Sequence, residues 1–263
     1  MAPIDLENLT YEAADGVGTV TVAREKALNA LDEKTLRELL AVLDAVRLDR
    51  DLRALIVTGK GDKAFVAGAD IAAMSTLGPL RARRFADLGH RVCAGLEELE
   101  LPTIAAVNGF ALGGGLELAM ACDLVYASDR ARFGQPEVNL GLMPGFGGTQ
   151  RLARRVGPMR AKEMIFSGAM YGAEQARAMG LALEVVPHGE LQAFCREKAR
   201  LIASRGPVAV ARSKRAIQVG ADESLASGCE LERESFGLLF GTADAAEGMR
   251  AFLEKRAPAF KGS

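Results

Sequence analysis

The sequence predicts an α/β chain: a series of parallel strand, glycine turn and helix units, followed by an all-helical C-terminal region. Three observations lead there. Short apolar runs rich in β-branched residues recur, each ended by glycine and followed by a helical pattern. From about Gly189 onward the strand patterns stop and only amphipathic helical patterns remain. The 263 residues are 49% apolar and 25% charged, which suits one large domain with a substantial core plus a smaller appendage.

The elements follow in order. Val17–Ala23 (VGTVTVA) alternates as a strand, and Asp32 is placed to cap a helix whose Leu36, Leu39, Leu40, Leu43 and Val46 share one face. Arg53–Thr58 (RALIVT) is a continuous apolar strand stopped by Gly59-Lys60-Gly61-Asp62. After AFVAGADIAAM come a helix from Pro79 to Leu99, the strand Thr103–Asn108, a helix opening at Gly113–Gly115 and the strand Asp123–Ala127. Four helical patterns close the chain: Glu190–Ser204, Pro207–Val219, Ser224–Phe240 and Ala243–Lys255. The expected division is a catalytic core over residues 1–190 and a helical region over 191–263, a tail suited to packing on another subunit.

Composition narrows the function classes. A net charge of −1 gives no global field for nucleic acid or an anionic membrane. No apolar run approaches the ~18 residues of a membrane span. The N-terminal MAPIDLENLTYEAADG lacks a basic-then-apolar signal, so a cytoplasmic protein is expected. Cys93, Cys122, Cys195 and Cys229 are scattered and read as free buried thiols. His90 and His188 lie away from every motif and read as surface or helix-end residues, which leaves no histidine triad and no metal cluster.

Two glutamates stand out. Glu117 is the only charged residue between Leu101 and Cys122, in LPTIAAVNGFALGGGLELAMAC, a stretch apolar enough to be buried. A carboxylate in a core is costly unless paired, neutralised or chemically employed. Glu137 lies in FGQPEVNLGLMPGFGG, where glycines and prolines describe a folded-back loop rather than a helix or strand. Its neighbours Val138, Leu140, Leu142 and Met143 predict a loop that dips into the body. Glycines 113–115 precede a helix whose first N–H groups are free to bind a developing negative oxygen. A phosphate loop is excluded, since GxxxxGK[ST] and GxGxxG are missing there, and no GxSxG marks a serine nucleophile. In AFVAGAD the small residues can expose the N–H of Ala69, and Asp70 reads as the cap of the following turn. The arginine groups 81, 83, 84 and 151, 154, 155 read as solvated helix faces.

AFVAGADI (Ala64–Ile71), TIAAVNGFALGGGLELAMACDLVYAS (Thr103–Ser128) and FGQPEVNLGLMPGFGGTQRL (Phe133–Leu152), with KALNALD (Lys26–Asp32) and the closing RAPAF, resemble the crotonase superfamily over nearly the whole chain, specifically its enoyl-CoA hydratases. The resemblance implies a crotonase-like spiral of ββα units, a C-terminal helical trimerisation region, and a homo-oligomer, either a trimer or a hexamer built as a dimer of trimers. It implies an acyl-CoA thioester substrate and no separate cofactor, coenzyme A being part of the substrate. Residue by residue, the oxyanion-hole amides fall on Ala69 and Gly114, the catalytic carboxyls on Glu117 and Glu137, and the backbone position near the catalytic water on Gly145. Glu117 would activate water and Glu137 would donate the proton. Substrate and CoA contacts fall on Lys26, Ala27, Asn29, Ala67, Asp70 and Ile71, and the acyl pocket on Met74 and Phe146. Two other readings remain: an isomerase moving a double bond from the 3 to the 2 position, which needs one carboxyl, and an RNA-binding member of the family.

The sequence departs from the family pattern in three places. Ala72 replaces a lysine that can meet CoA phosphate, which shifts that contact to Lys26, Arg24 or a neighbouring subunit's tail. Leu116 replaces a common cysteine. Phe146 replaces a small residue and is expected to favour short acyl chains.

Overall fold

The computed structural model describes residues 6–263. The described chain starts with a hairpin of β1 (Leu9–Ala14) and β2 (Val17–Val22), whose two-residue turn, Asp15-Gly16, has positive φ at both positions. Then come α1 (Glu33–Leu48), β3 (Ala54–Gly59), β4 (Ala64–Val66), α2 (Ile71–Met74) and α3 (Pro79–Glu98). β5 (Thr103–Val107), β6 (Phe110–Leu112) and α4 (Gly114–Ala121) form the next unit. β7 (Leu124–Ser128), β8 (Arg132–Gly134), a 3-10 turn at Pro136–Leu140, α5 (Gly148–Val156) and α6 (Pro158–Ser167) form another. β9 (Met170–Gly172), α7 (Ala173–Ala178) and β10 (Glu184–Val186) complete the strands, and α8 (Leu191–Ala203), α9 (Pro207–Gly220), α10 (Leu225–Leu239) and α11 (Ala243–Leu253) end the chain.

The units wind as ββα turns. In the pairs β3–β4, β5–β6 and β7–β8 the first strand joins a six-stranded sheet ordered β1-β2-β3-β5-β7-β10, and the second joins a four-stranded sheet ordered β4-β6-β8-β9. Pairing is parallel from β2 through β10 and from β4 to β8. The three-residue strands of the second sheet are too short to carry a period-2 signal, and the residue pattern misses them.

Alternation sends the large sheet's side chains to two cores. Leu55, Val57, Ala105 and Val107 face α1, α3 and α4, while Ala54, Ile56, Ile104 and Ala106 face Leu191, Cys195 and Ala199 of α8. α8 is thus a layer of the core, although it falls after residue 190. Asp32 caps α1 by accepting from the Thr35 amide at 2.7 Å, as the sequence predicts. α9 is tied back by Lys214, whose ammonium reaches Asp123 at 2.8 Å and the Leu101 carbonyl at 3.1 Å. Beyond such ties α10 and α11 bury little, and Leu225, Phe236, Leu238, Phe240, Phe252 and Leu253 are exposed.

Three expectations are corrected. The Glu137 segment is a 3-10 turn, because Pro136 fixes the first φ and the Gly141 amide closes onto the carbonyls of Glu137 and Val138. It does not dip into the body: Leu140, Leu142 and Met143 are exposed, since a single helical turn can send only one side inward. Cys93, Cys122 and Cys195 are buried free thiols as expected, but Cys229 lies on the outer side of α10 and is exposed.

Candidate active site

The second strands end side by side. β4, β6 and β8 are adjacent and parallel, so whatever follows each of them arrives at one edge of the small sheet. Ala69 follows β4, Gly113 and Gly114 follow β6, and Gln135 and Glu137 follow β8. Residues remote in sequence thereby share a crevice at the carboxyl ends of parallel strands, the usual place for a ligand in such sheets.

The amides come first. Leu31 donates to the Gly68 carbonyl at 2.9 Å and accepts from Asp70 at 2.8 Å. Successive N–H groups of an extended chain alternate in direction, so the N–H of Ala69 turns away from Leu31. None of the surrounding turn and loop hydrogen bonds uses the amide of Ala69 or of Gly114. Gly114 opens α4, whose cap Gly113 (φ 49°) offers no side chain to its first turn. A β-carbon at Gly114 would lie 3.7 Å from the Ala69 nitrogen, so the two amides border the same small space. α4 can enter so deeply because Gly115 packs on β4, where a β-carbon would stand 1.9 Å from the Val66 carbonyl oxygen.

Glu117 lies one turn into α4 and is 1% exposed. Its Oε1 accepts from the amides of Phe146 (2.8 Å) and Gly148 (2.5 Å), and the Gly145 amide is directed at the same carboxyl. Burial pushes the Glu117 carboxyl upward; the Gly148, Phe146 and Gly145 amides and the Arg151 charge pull it back. Beside Gly145 the position of a side chain is open space.

Glu137 is half-buried, and its Oε1 lies 2.9 Å from where a β-carbon of Gly113 would be. Burial, together with the Glu117 charge, pushes its carboxyl up to about 7. With its amide nitrogen turned towards Glu137, fully buried Gln135 donates to both carboxyl oxygens at 2.7 and 3.1 Å. Gln135 also borders Glu117, since a β-carbon at Gly148 would be 2.5 Å from its amide group and 2.9 Å from Glu117 Oε1. Sequence reasoning missed Gln135; its place two residues before Glu137 at the end of β8 was the available signal.

Phe146 is 5% exposed and lies against Gly114 and Gly89, with its ring 5.4 Å from that of Phe85. Beyond Phe85 a cleft of about 620 Å³ opens between α1, α2 and α3, lined by Met74, Leu77, Leu88 and Arg84 among others.

The proposed CoA contacts are dispersed in character. Lys26 is exposed, Ala27 and Ala67 are half-buried, and Ile71 is 57% exposed. Asn29 is buried, donating to the Lys60 and Ala64 carbonyls and accepting from the Arg24 amide, so its side chain holds the loop together. Asp70 caps α2 through the Ala73 amide and pairs with Arg24 at 3.0 Å. Arg24 also meets Asp32 at 3.0 Å, which turns its charge inward rather than towards a phosphate. Two arginines of the second group are not solvated either. Arg151 forks onto Glu97 at 2.6 and 2.7 Å, and Arg155 reaches the Met120 and Cys122 carbonyls at 2.6 Å, satisfying the end of α4.

His188 sits at a short helix start between Ser128 Oγ (3.0 Å) and Asp62 (3.3 Å). This Ser-His-Asp series is structural: Ser128 is fully buried, and its Oγ accepts from the Arg130 amide of the same turn. Among the described residues no three His, Cys, Asp or Glu side chains are grouped to hold a metal ion, and no helix is long and apolar enough to cross a membrane.

Residues 12–263 match the enoyl-CoA hydratase/isomerase family. The short-chain-enoyl-CoA hydratase of Clostridium acetobutylicum is 48% identical over 253 residues, 96% of this chain and 97% of that protein. The crotonyl-CoA hydratase of Syntrophomonas wolfei is 47% identical over 95% of this chain and 96% of that protein. The solved structure of an enoyl-CoA hydratase from Bacillus anthracis superimposes with a TM-score of 0.95 at 38% identity, covering 98% of this chain and 100% of that one. The chain therefore belongs to the enoyl-CoA hydratase/isomerase family of the crotonase superfamily, as an enzyme of the enoyl-CoA hydratase type.

Proposed function

We infer that the protein adds water reversibly across the 2,3 double bond of a short-chain 2-enoyl-CoA thioester, giving the 3-hydroxyacyl-CoA. One observation carries this reading: the amides of Ala69 and Gly114 border one small space, with buried Glu117 and half-buried Glu137 beside it. Addition of water at Cβ drives negative charge onto the thioester oxygen. Two fixed N–H donors, reinforced by the positive end of α4, stabilise that enolate more than the ground state. Losing one such donor typically costs ~3–4 kcal/mol of transition-state stabilisation.

Burial raises the proton affinity of both carboxyls, and their hydrogen-bond partners separate their roles. Glu117 is gripped by backbone amides that favour its ionised form, and the open space at Gly145 gives a water room beside it. It takes the proton of the attacking water. Glu137, raised to about 7, is partly protonated near neutrality and delivers a proton to Cα while Gln135 fixes its orientation. The pair titrates as one system.

An isomerase needs only one shuttling carboxyl, so the presence of both favours hydration. Lys26 remains the candidate for CoA phosphate, since Arg24 is engaged internally. The exposed apolar side chains of α10 and α11 and of the 140–143 loop call for another subunit as cover, in a trimer or a hexamer. Unpaired thiols fit a reducing, cytoplasmic setting.

The test is crotonyl-CoA hydration by Glu117→Gln and Glu137→Gln, with 3-enoyl and 2-enoyl thioesters assayed side by side. Each substitution should lower turnover ~10²–10⁴-fold with the fold intact. Near-normal turnover in either removes that residue from the mechanism, and a preference for the 3-enoyl thioester makes the protein an isomerase.

A further inference from the structure

We propose that Arg151 is the positioning residue of the water-activating carboxyl, acting on Glu117 through the peptide units around Phe146. The inference rests on the role assigned to Glu117 above and extends it to a side chain outside the pocket.

Three successive peptide units make the connection. The first presents the Phe146 N–H to Glu117 Oε1 at 2.8 Å, and the third presents the Gly148 N–H to the same oxygen at 2.5 Å. The middle unit carries the Phe146 carbonyl, which accepts from Arg151 Nη1 at 2.8 Å. Arg151 therefore holds the link between the two amides that hold Glu117. Its far side is fixed by the two-pronged pair with Glu97 on α3, so the loop's geometry is referred to a long helix rather than to solvent.

The backbone is shaped to admit this contact. Gly147, between the two donating amides, has φ 103°, and a β-carbon there would lie 2.1 Å from Arg151 Nη1. Any side chain would both strain the turn and displace the guanidinium. Arg151 is also largely enclosed, with 17% of its side chain exposed, so its charge acts on Glu117 through little water.

The groups facing Glu117 are few. They are Arg151 from α5, Glu137 from the 3-10 turn and Cys93 from α3; Glu97 of α3 faces Arg151 and Cys93, and His90 of α3 reaches the loop at Gly147. Burial keeps the Cys93 thiol neutral. Arg151 is thus the nearby cation that favours ionised Glu117; its pairing with the Glu97 carboxylate partly neutralises that charge.

The experiment measures kcat, KM and the pH profile of crotonyl-CoA hydration for Arg151→Gln, Arg151→Lys and Glu97→Gln. Thermal unfolding is followed in parallel, with Glu117→Gln as reference. For Arg151→Gln, kcat should fall on the order of 10²-fold with KM little changed, as expected of a displaced catalytic group. The acidic limb of its kcat profile should move to higher pH, because Glu117 loses the cation that lowers its pKa. Arg151→Lys should keep the limb in place but remain slow, since an ammonium cannot reproduce the planar fork. Glu97→Gln should move the limb the other way, to lower pH, by unmasking the Arg151 charge; it tests the idea even if Arg151→Gln does not fold. Parental kcat and profile in Arg151→Gln overturn the proposal, as does an equal loss in all three variants with an unmoved limb. If Glu117→Gln itself turns over normally, the underlying role of Glu117 fails instead.

Discussion

Phe146 lies so close over Gly89 that a β-carbon on that glycine would stand 2.1 Å from the ring's Cδ1. Helix α3 therefore offers a notch, and the ring fills it while its other edge lies by Gly114. Gly89→Ala should push the ring towards the Gly114 amide. We expect kcat/KM for crotonyl-CoA to fall about ten-fold, with destabilisation of about 1–3 kcal/mol from overpacking. Adding Phe146→Leu should recover most of both losses; thermal unfolding and steady-state rates measure this directly.

The same ring lies between Gly114 and Phe85, which lines the 620 Å³ cleft together with Met74. Phe146→Ala should extend the acyl range, raising the ratio of eight-carbon to four-carbon kcat/KM by on the order of ten-fold, the scale of hydrophobic-pocket discrimination. Stability should drop by about 3–5 kcal/mol from the cavity left behind. A survey of 2-enoyl-CoA thioesters of increasing length reads the outcome, and an unchanged ratio removes Phe146 from chain-length selection.

Glu137 makes stability depend on pH in a defined direction. Its carboxyl ionises at about 7 in the folded protein against an ordinary 4.5 for a free glutamate. The unfolded chain thus releases that proton first, and the associated stability is full below about pH 4.5 and lost as pH rises through 7. Glu137→Gln removes the dependence. Relative to its effect at pH 5, the substitution should stabilise the protein at pH 8 by on the order of 1–2 kcal/mol, a figure reduced because the group is only half-buried. Denaturant titrations at the two pH values give the comparison. NMR of ¹³C-labelled glutamate should show a carboxyl titrating near 7 that disappears in the variant.

Phe252 and Phe236 are 83% and 63% exposed on α11 and α10, an unusual cost for an isolated chain. If the proposed subunit contact forms there, Phe236→Asp and Phe252→Asp should lower the mass read by light scattering, because each buries a charge in that contact. Unchanged mass in both would place the contact elsewhere.

Much of this molecule was legible as pattern. The capped α1, the apolar strands of the large sheet and the C-terminal helices follow from periodicity and turn residues. Glu117 stood out because a lone charge in an apolar run is costly. The small-sheet strands were not legible: three residues cannot show a period, and their pairing comes from neighbours far along the chain. The apolar 140–143 loop misled, since hydrophobicity signals burial without saying against which molecule. Arg151 and Arg155 misled in the opposite sense, for a charge in a helical pattern reads as solvated until its partners are placed.

The sequence by itself determined which groups are available: two glutamates beside glycine turns, small residues that free amides, and a phenylalanine where room would otherwise exist. Only the tertiary structure decided that they meet. Parallel pairing of β4, β6 and β8 delivers Ala69, Gly114 and Glu137 to one edge. The environments of the two carboxyls, burial that raises both and backbone amides with an enclosed cation that partly offset it at Glu117, come from segments distant in the chain. Proton affinity is a property of surroundings, and surroundings exist only once the chain has folded.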